Sequence, residues 1–338
     1  MSPFEQSHEA TIRSYAKVNL GLYVTGKRED GYHTIETIVQ KISLWDDIAI
    51  SWKPCDMEKA VAGEKKHHGI DDEPINIVVK TDKPYLPVDE RNLAYRAARL
   101  MIEEARAKKK ELMAGKLRIS IRKKIPVAAG LGGGSSNGAA VMVALNKIWG
   151  MGFNTRKLCE IAKKLGADVP FCVLVHNTDY VCGLGTGTGD DLNVLSKGLR
   201  CHMIVAKPAF GVSTKEVYEG IDSINLEEKR DSKDISINLE EKRDSKDIYR
   251  HKEEIETRNY SKIYEKMYND LEEYTLIKYP EVQRLKEIIS QTPQVKKVMM
   301  TGSGPTIVAC FSSYNDARNA CALVRKRGYE AYWCQTVR

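Results

Sequence analysis

Hydrophobic and polar residues alternate through several stretches of the chain. Ala16, Val18, Leu20, Leu22 and Val24 interleave with Lys17, Asn19, Gly21 and Tyr23. That period of two predicts a strand with Lys17 and Asn19 on one face and the aliphatics on the other. Leu117, Ile119 and Ile121 alternate with Arg118, Ser120 and Arg122 in the same way. Strands are also expected at 35–50, 75–80, 172–175, 201–207, 298–300, 307–311 and 329–337. Helical spacing appears at 90–110, through Leu93, Ala97, Leu100 and Met101, and at 139–146. Asn154 and Thr155 cap a helix through Leu158, Ile161, Ala162 and Leu165, which Gly166 stops. Ser213 or Thr214 caps another, through Val217 and Tyr218. Helices are further expected around Tyr268 to Glu272, at 281–289 and at 314–326.

The stretch between the second strand and the helix at 139–146 carries the chemistry. It reads Pro126-Val127-Ala128-Ala129-Gly130-Leu131-Gly132-Gly133-Gly134-Ser135-Ser136, with four glycines in five residues. Glycine lets a backbone approach a ligand closely and adopt positive φ. A helix start adds unpaired N–H groups and a positive dipole end. A strand running through such a loop into a helix is a phosphate cradle. It is not a Walker loop, because Gly134 rather than Lys precedes Ser135. It is not a dinucleotide fingerprint, because Ser135 stands where the third glycine belongs and no acid follows before Glu160. A flexible linker would not be abutted by strand and helix signals on both sides. The loop has no cation of its own, so one must come from elsewhere, and Lys17 on its own strand is the candidate.

Three other places stand out. Asp30-Gly31 is a turn signal, and Tyr32-His33 after it could stack on and hydrogen-bond a ring, or be an idle surface pair. Asp168 sits between a helix end and an apolar segment, where a carboxylate is either a turn former or a held base. The glycines from Gly183 to Gly189 suggest a hairpin loop. Residues 53–73 are charged and poor in large apolar side chains, as in a surface excursion. The 13 residues at 223–235 recur residue for residue at 236–248. Two copies are a duplication and not a solenoid, and each has too few aliphatics to order itself. A peripheral helical insertion without a role in the chemistry is expected there.

Bulk properties narrow the class. The chain has 338 residues, enough for two medium domains, which the strand at 201–207 suggests dividing as 1–195 and 196–338. No apolar run approaches a membrane span, and the N-terminus has no basic-then-apolar signal. The eight cysteines are never closer than ten residues, so no CxxC motif exists. Cytoplasmic location is the simplest expectation. The net charge of +7 suits an anionic ligand. The basic residues are dispersed among acids and form no aromatic-plus-basic RNA-binding motif, so no nucleic-acid partner is expected.

The glycine stretch resembles the phosphate loop of the GHMP kinase superfamily. Ser14-Tyr15-Ala16-Lys17-Val18-Asn19, Asp30-Gly31-Tyr32-His33, Gly166-Ala167-Asp168-Val169-Pro170-Phe171 and Thr301-Gly302-Ser303-Gly304 extend the match from about residue 12 to the end. These motifs resemble the branch of the family that acts on a cytidine diphosphate-linked methylerythritol in non-mevalonate isoprenoid synthesis. The resemblance implies an α+β protein of two domains, an N-terminal ribosomal-S5-like one and a C-terminal ferredoxin-like one. It implies a kinase using ATP and Mg2+ on a small-molecule substrate, with no membrane partner, as a monomer or weak homodimer. It carries Asp168 over as the catalytic base and Lys17 as the residue orienting the substrate hydroxyl. It carries residues 126–136 over as the ATP loop, His33 and Tyr32 as cytosine contacts, Tyr218 as a second aromatic over the cytosine, and Asn19 as a substrate contact. The runner-up is another GHMP kinase, for a sugar, homoserine or a mevalonate-type alcohol. One departure is Asn137-Gly138, where the family usually has Ala in second place; the metal ligands are not specified.

Overall fold

The structure is a computed structural model that describes residues 7–55, 75–108, 113–231 and 246–337. The charged excursion at 53–73 and the duplicated insert lie largely outside the described residues. The chain divides into two compact units, each assembled from separate segments.

The first unit takes Met1–Ala16, Leu44–Ile125 and Gly133–Asp179. It holds the first part of β1 (His8–Lys27), the last part of β2 (His33–Pro54), β3 (Ile75–Thr81), α1 (Leu93–Ala107), β4 (Gly115–Arg122), α2 (Gly133–Ile148), α3 (Thr155–Ala162) and α4 (Val169–Asn177). β4 runs antiparallel to β2, with Ile48 opposite Ile121 and Ile50 opposite Ile119. It runs parallel to β3, with Ile77 opposite Leu117. The alternation read from the sequence turns Leu117, Ile119 and Ile121 inward, and all three are buried. Trp52 and Trp149 meet edge to face at 5.7 Å in this core.

α2 packs against α1 and α4. Ala139 through Leu145 carry no charge, and all are buried, so this helix is apolar all round as an interior helix must be. Asn92 and Asn154 cap α1 and α3 by accepting from the amides of Ala94 and Lys157.

One expected element is of the other type. Residues 172–175, read as a strand, lie in helix α4. A short apolar run buried on every side has no period to distinguish the two. Pro170 in the first turn supplies a φ already suited to a helix, which decides it.

The second unit takes Lys17–Ser43, Pro126–Gly132 and Tyr180–Arg338. The glycine run near 185 is the expected hairpin: β5 (Cys182–Thr186) pairs antiparallel with β6 (Asp191–Leu195), and β5 also pairs with β2. β7 (His202–Lys207) begins a four-stranded antiparallel sheet ordered β11-β7-β10-β9, with β9 (Val295–Met300), β10 (Ile307–Phe311) and β11 (Glu330–Gln335). Between β7 and β9 lie α5 (Thr214–Asp231), α6 (Lys246–Thr257), α7 (Tyr260–Lys266), β8 (Tyr268–Asn269), α8 (Leu271–Lys278) and α9 (Pro280–Ser290), and α10 (Tyr314–Lys326) follows β10. α9 and α10 pack on this sheet, burying Leu285, Ile289, Ala320 and Val324 with Ile204, Ile307 and Phe311. The expected helix around Tyr268 to Glu272 begins only at Leu271. Tyr268 and Asn269 pair in parallel with Gly21 and Leu22 of β1.

Candidate active site

The glycine loop and Lys17 meet within the second unit. The loop's early residues bend sharply: Ala128, Gly130 and Gly132 have φ of 48°, 69° and 66°. A Cβ on Gly130 would lie 2.6 Å from the Thr301 carbonyl oxygen, and one on Gly132 would lie 2.9 Å from Cγ of Lys17. Glycine is required at both positions by conformation and by space. The Lys17 amide donates to the Leu131 carbonyl at 3.0 Å, and its stem lies along Gly132. The cation that the loop lacks is therefore delivered by β1.

Lys17 is held in that place. Its Nζ donates to Asn19 Oδ1 at 2.9 Å. Asn19 Nδ2 donates to Thr37 Oγ1 at 2.7 Å, and the Asn19 amide donates to Thr301 Oγ1 at 2.8 Å. Lys17 and Asn19 are only 5% and 3% exposed, so this bonding is shielded from water. The glycine turn after β9, expected from the sequence as a separate motif, closes against the loop through Gly130 and Thr301. Ser303 in that turn shares a 2.8 Å hydrogen bond with Thr214.

The Tyr32-His33 pair splits into an exposed and a buried member. Tyr32 is 68% exposed beyond the Asp30-Gly31 turn, its amide donating to Asp30 Oδ1. The His33 ring is buried, stacked on Tyr218 with centroids 5.0 Å apart and planes 25° apart. Its Nε2 lies 2.8 Å from Asp222 Oδ1, and Lys27 Nζ lies 2.6 Å from Oδ2 of the same carboxylate. Burial works against the Asp222 charge, but hydrogen bonds from Lys27 and His33 outweigh it and hold the carboxyl below its ordinary range. An ionised carboxylate only accepts, so Nε2 of His33 carries the proton between them. Asp222 was missed in the sequence. Its signal was the spacing from Tyr218, one helical turn earlier on α5.

The rest of the loop belongs to the first unit and opens α2. Gly134 is exposed, Gly133 and Ser135 are half-buried, and Ser136 is buried. Ser136 Oγ accepts from Ser14 Oγ at 2.8 Å and lies 3.0 Å from Nε2 of His176 near the end of α4. Asp168 stands immediately before α4 in helical conformation, half-buried and without a capping hydrogen bond to that helix. The structure thus groups Lys17 and Asn19 with loop residues 130–132, and His33 with Tyr218, while Asp168 lies in the unit that holds Ser135 and Ser136. Gly138, the departure from the family pattern, faces the α1 backbone: a Cβ there would sit 3.2 Å from the Leu93 carbonyl oxygen.

Family models match both halves: GHMP kinases N terminal domain over residues 92–175, and GHMP kinases C terminal over residues 252–330. A 4-diphosphocytidyl-2-C-methyl-D-erythritol kinase of Clostridioides difficile (strain 630) is 36% identical over 308 residues, spanning 90% of this chain and 88% of that one. The chain belongs to the GHMP kinase family. A 4-diphosphocytidyl-2-C-methyl-D-erythritol kinase of Caldicellulosiruptor bescii is also 36% identical to this GHMP kinase, covering 93% of each chain. The crystal structure of a 4-(cytidine 5'-diphospho)-2C-methyl-D-erythritol kinase aligns with a TM-score of 0.68 at 27% identity, over 97% of this chain and 100% of that one. The L. major mevalonate kinase in complex with R-mevalonate reaches the same TM-score at 14% identity, a likeness of fold alone. The α+β content and two-domain GHMP kinase fold expected from the motifs are present. Among the described residues no helix is long and apolar enough to cross a membrane.

Proposed function

We propose that the protein transfers the γ-phosphoryl group of ATP to the 2-hydroxyl of 4-diphosphocytidyl-2-C-methyl-D-erythritol, a step of non-mevalonate isoprenoid synthesis. The observation that carries this is Lys17, its ammonium bonded to Asn19 and its aliphatic stem laid along Gly132. Phosphoryl transfer needs positioning and charge neutralisation more than covalent chemistry. Loop amides and the start of α2 bind the ATP phosphates. Lys17 places a fixed positive charge beside them and orients the accepting hydroxyl. Asp168 takes that hydroxyl's proton, which requires its carboxylate within about 3 Å of the attacking oxygen. Tyr32, His33 and Tyr218 receive the cytosine, and Asn19 contacts the substrate while it braces Lys17.

The glycine-shaped cradle, closed to any Cβ at Gly130 and Gly132, fits a nucleotide's phosphates. No group of three or more His, Cys, Asp or Glu side chains suited to a metal ion occurs among the described residues. Mg2+ would come in on the phosphates and keep several waters, supplying charge neutralisation there. The catalytic half is taken as 1–195 and the second domain as 196–338. The protein would work in the cytoplasm, as a monomer or weak homodimer.

ADP release tests the reading. ADP should appear with ATP and the cytidyl polyol together and not with either alone. Strong turnover on homoserine, mevalonate or a sugar, with none on the cytidyl polyol, would replace it with another kinase of the family.

A further inference from the structure

We propose that Asp46, Lys123 and Asn137 are positioning residues for phosphoryl transfer, tying both ends of the glycine loop to one buried carboxylate. The proposal rests on the ATP reading of the loop given above. Asp46, at the point where β2 enters the first unit, is 0% exposed. Its Oδ1 accepts the amides of Lys124 and Ile125 at 2.7 and 2.8 Å. Ile125 is the last residue before the loop. Asp46 Oδ2 accepts from Lys123 Nζ and from Asn137 Nδ2, the latter at 2.9 Å. Asn137 is the first residue after the loop.

Four donors occupy the four lone-pair directions of one carboxylate, so the group is fully satisfied without water. Lys123 Nζ also donates to Asn137 Oδ1 at 3.2 Å, and it lies 3.2 Å from where a Cβ on Gly133 would stand. A buried ion pair adds little net stability over a well-packed apolar pair. What it supplies here is a fixed separation and direction for the two points where the loop enters and leaves. The loop's amides hold the ATP phosphates from binding through to transfer, and that hold falls away with small misplacements.

The bonding continues toward the proposed base. Asn137 Nδ2 donates to Ser14 Oγ at 2.9 Å, Ser14 Oγ donates to Ser136 Oγ, and Ser136 Oγ meets His176. His176 lies on α4, the helix that Asp168 precedes. One hydrogen-bonded network therefore joins the base of the loop to the helix that Asp168 precedes.

Asn137→Ala in the full chain tests this. It leaves the Asp46–Lys123 pair intact and unhooks the loop's far end. The KM for ATP should rise about tenfold, the size of one lost hydrogen bond to a charged group, while the KM for the cytidyl polyol stays within about twofold. A folded variant with an unchanged KM for ATP would overturn the proposal, since a purely structural role would lower the melting temperature without separating the two KM values. Should Asn137→Ala not fold, Asn137→Ser removes the same Nδ2 donor to Asp46 at a smaller loss of polarity and carries the same decision. Calorimetric titration with MgATP keeps the inference separate from the reaction assigned above. If the wild type binds MgATP but does not phosphorylate the cytidyl polyol, that assignment fails alone. Equal MgATP affinity in wild type and variant sinks the clamp.

Discussion

Lys17 Nζ donates to Asn19 Oδ1 at 2.9 Å, two positions along one strand and on the same face of it. The period of two fixes that neighbourhood, and the Asn19 bond to Thr37 fixes the direction. Replacing Lys17 by Met should lower kcat by about 10²–10³-fold, the usual loss when a charge-stabilising group is removed. Asn19→Leu leaves the ammonium present but unbraced and should cost about tenfold. Equal losses in the two variants, measured by ADP release, would mean that Asn19 does more than hold Lys17.

Asp168→Asn keeps shape and removes proton-accepting capacity. It should lower kcat by about 10²–10⁴-fold with little change in the KM for ATP. Steady-state kinetics at varied ATP check this, and a variant of full rate refutes the base assignment.

Asp222 holds His33 through the Nε2 proton and is itself held by Lys27. Asp222→Asn should raise the KM for the cytidyl polyol several-fold, the scale of one weakened hydrogen bond, and leave the KM for ATP alone. The Asp222 carboxyl lies below its unfolded value of 3.8. Its contribution to stability is thus present above that pH and fades as pH falls through the lower folded value. Acid unfolding of wild type and variant should converge at the acid end.

His251 on α6 is fully buried, with no hydrogen-bond partner for either ring nitrogen. Burial first, then the charges of Lys266 and Lys297, push it down from 6.5 to about 3. Between those values the unfolded chain binds a proton that the native protein does not. Stability should therefore fall as pH drops below 6.5, by up to about 1.4 kcal/mol per pH unit from this group. Urea unfolding at pH 7 and pH 5 should show a smaller difference in His251→Leu than in wild type.

Much of the site was legible because its signals are local. The alternation around Lys17 gave its strand and face, and the glycine spacing gave the bent loop. The glycines after Cys182 gave the hairpin. The segment at 172–175 was not legible, since a fully buried run has no period and Pro170 acts only once a helix start is in place. The partnership of Asp222 with His33 spans 189 residues, and that of Asp46 with Asn137 spans 91.

The sequence by itself determined the elements that carry the chemistry and the family to which they belong, because strand alternation, helix capping and glycine conformation act over a few residues. Only the tertiary structure decided which buried polar groups became partners. An amide, an ammonium or an imidazole removed from water must find a donor or acceptor wherever the chain returns, and that meeting depends on the packing of distant segments.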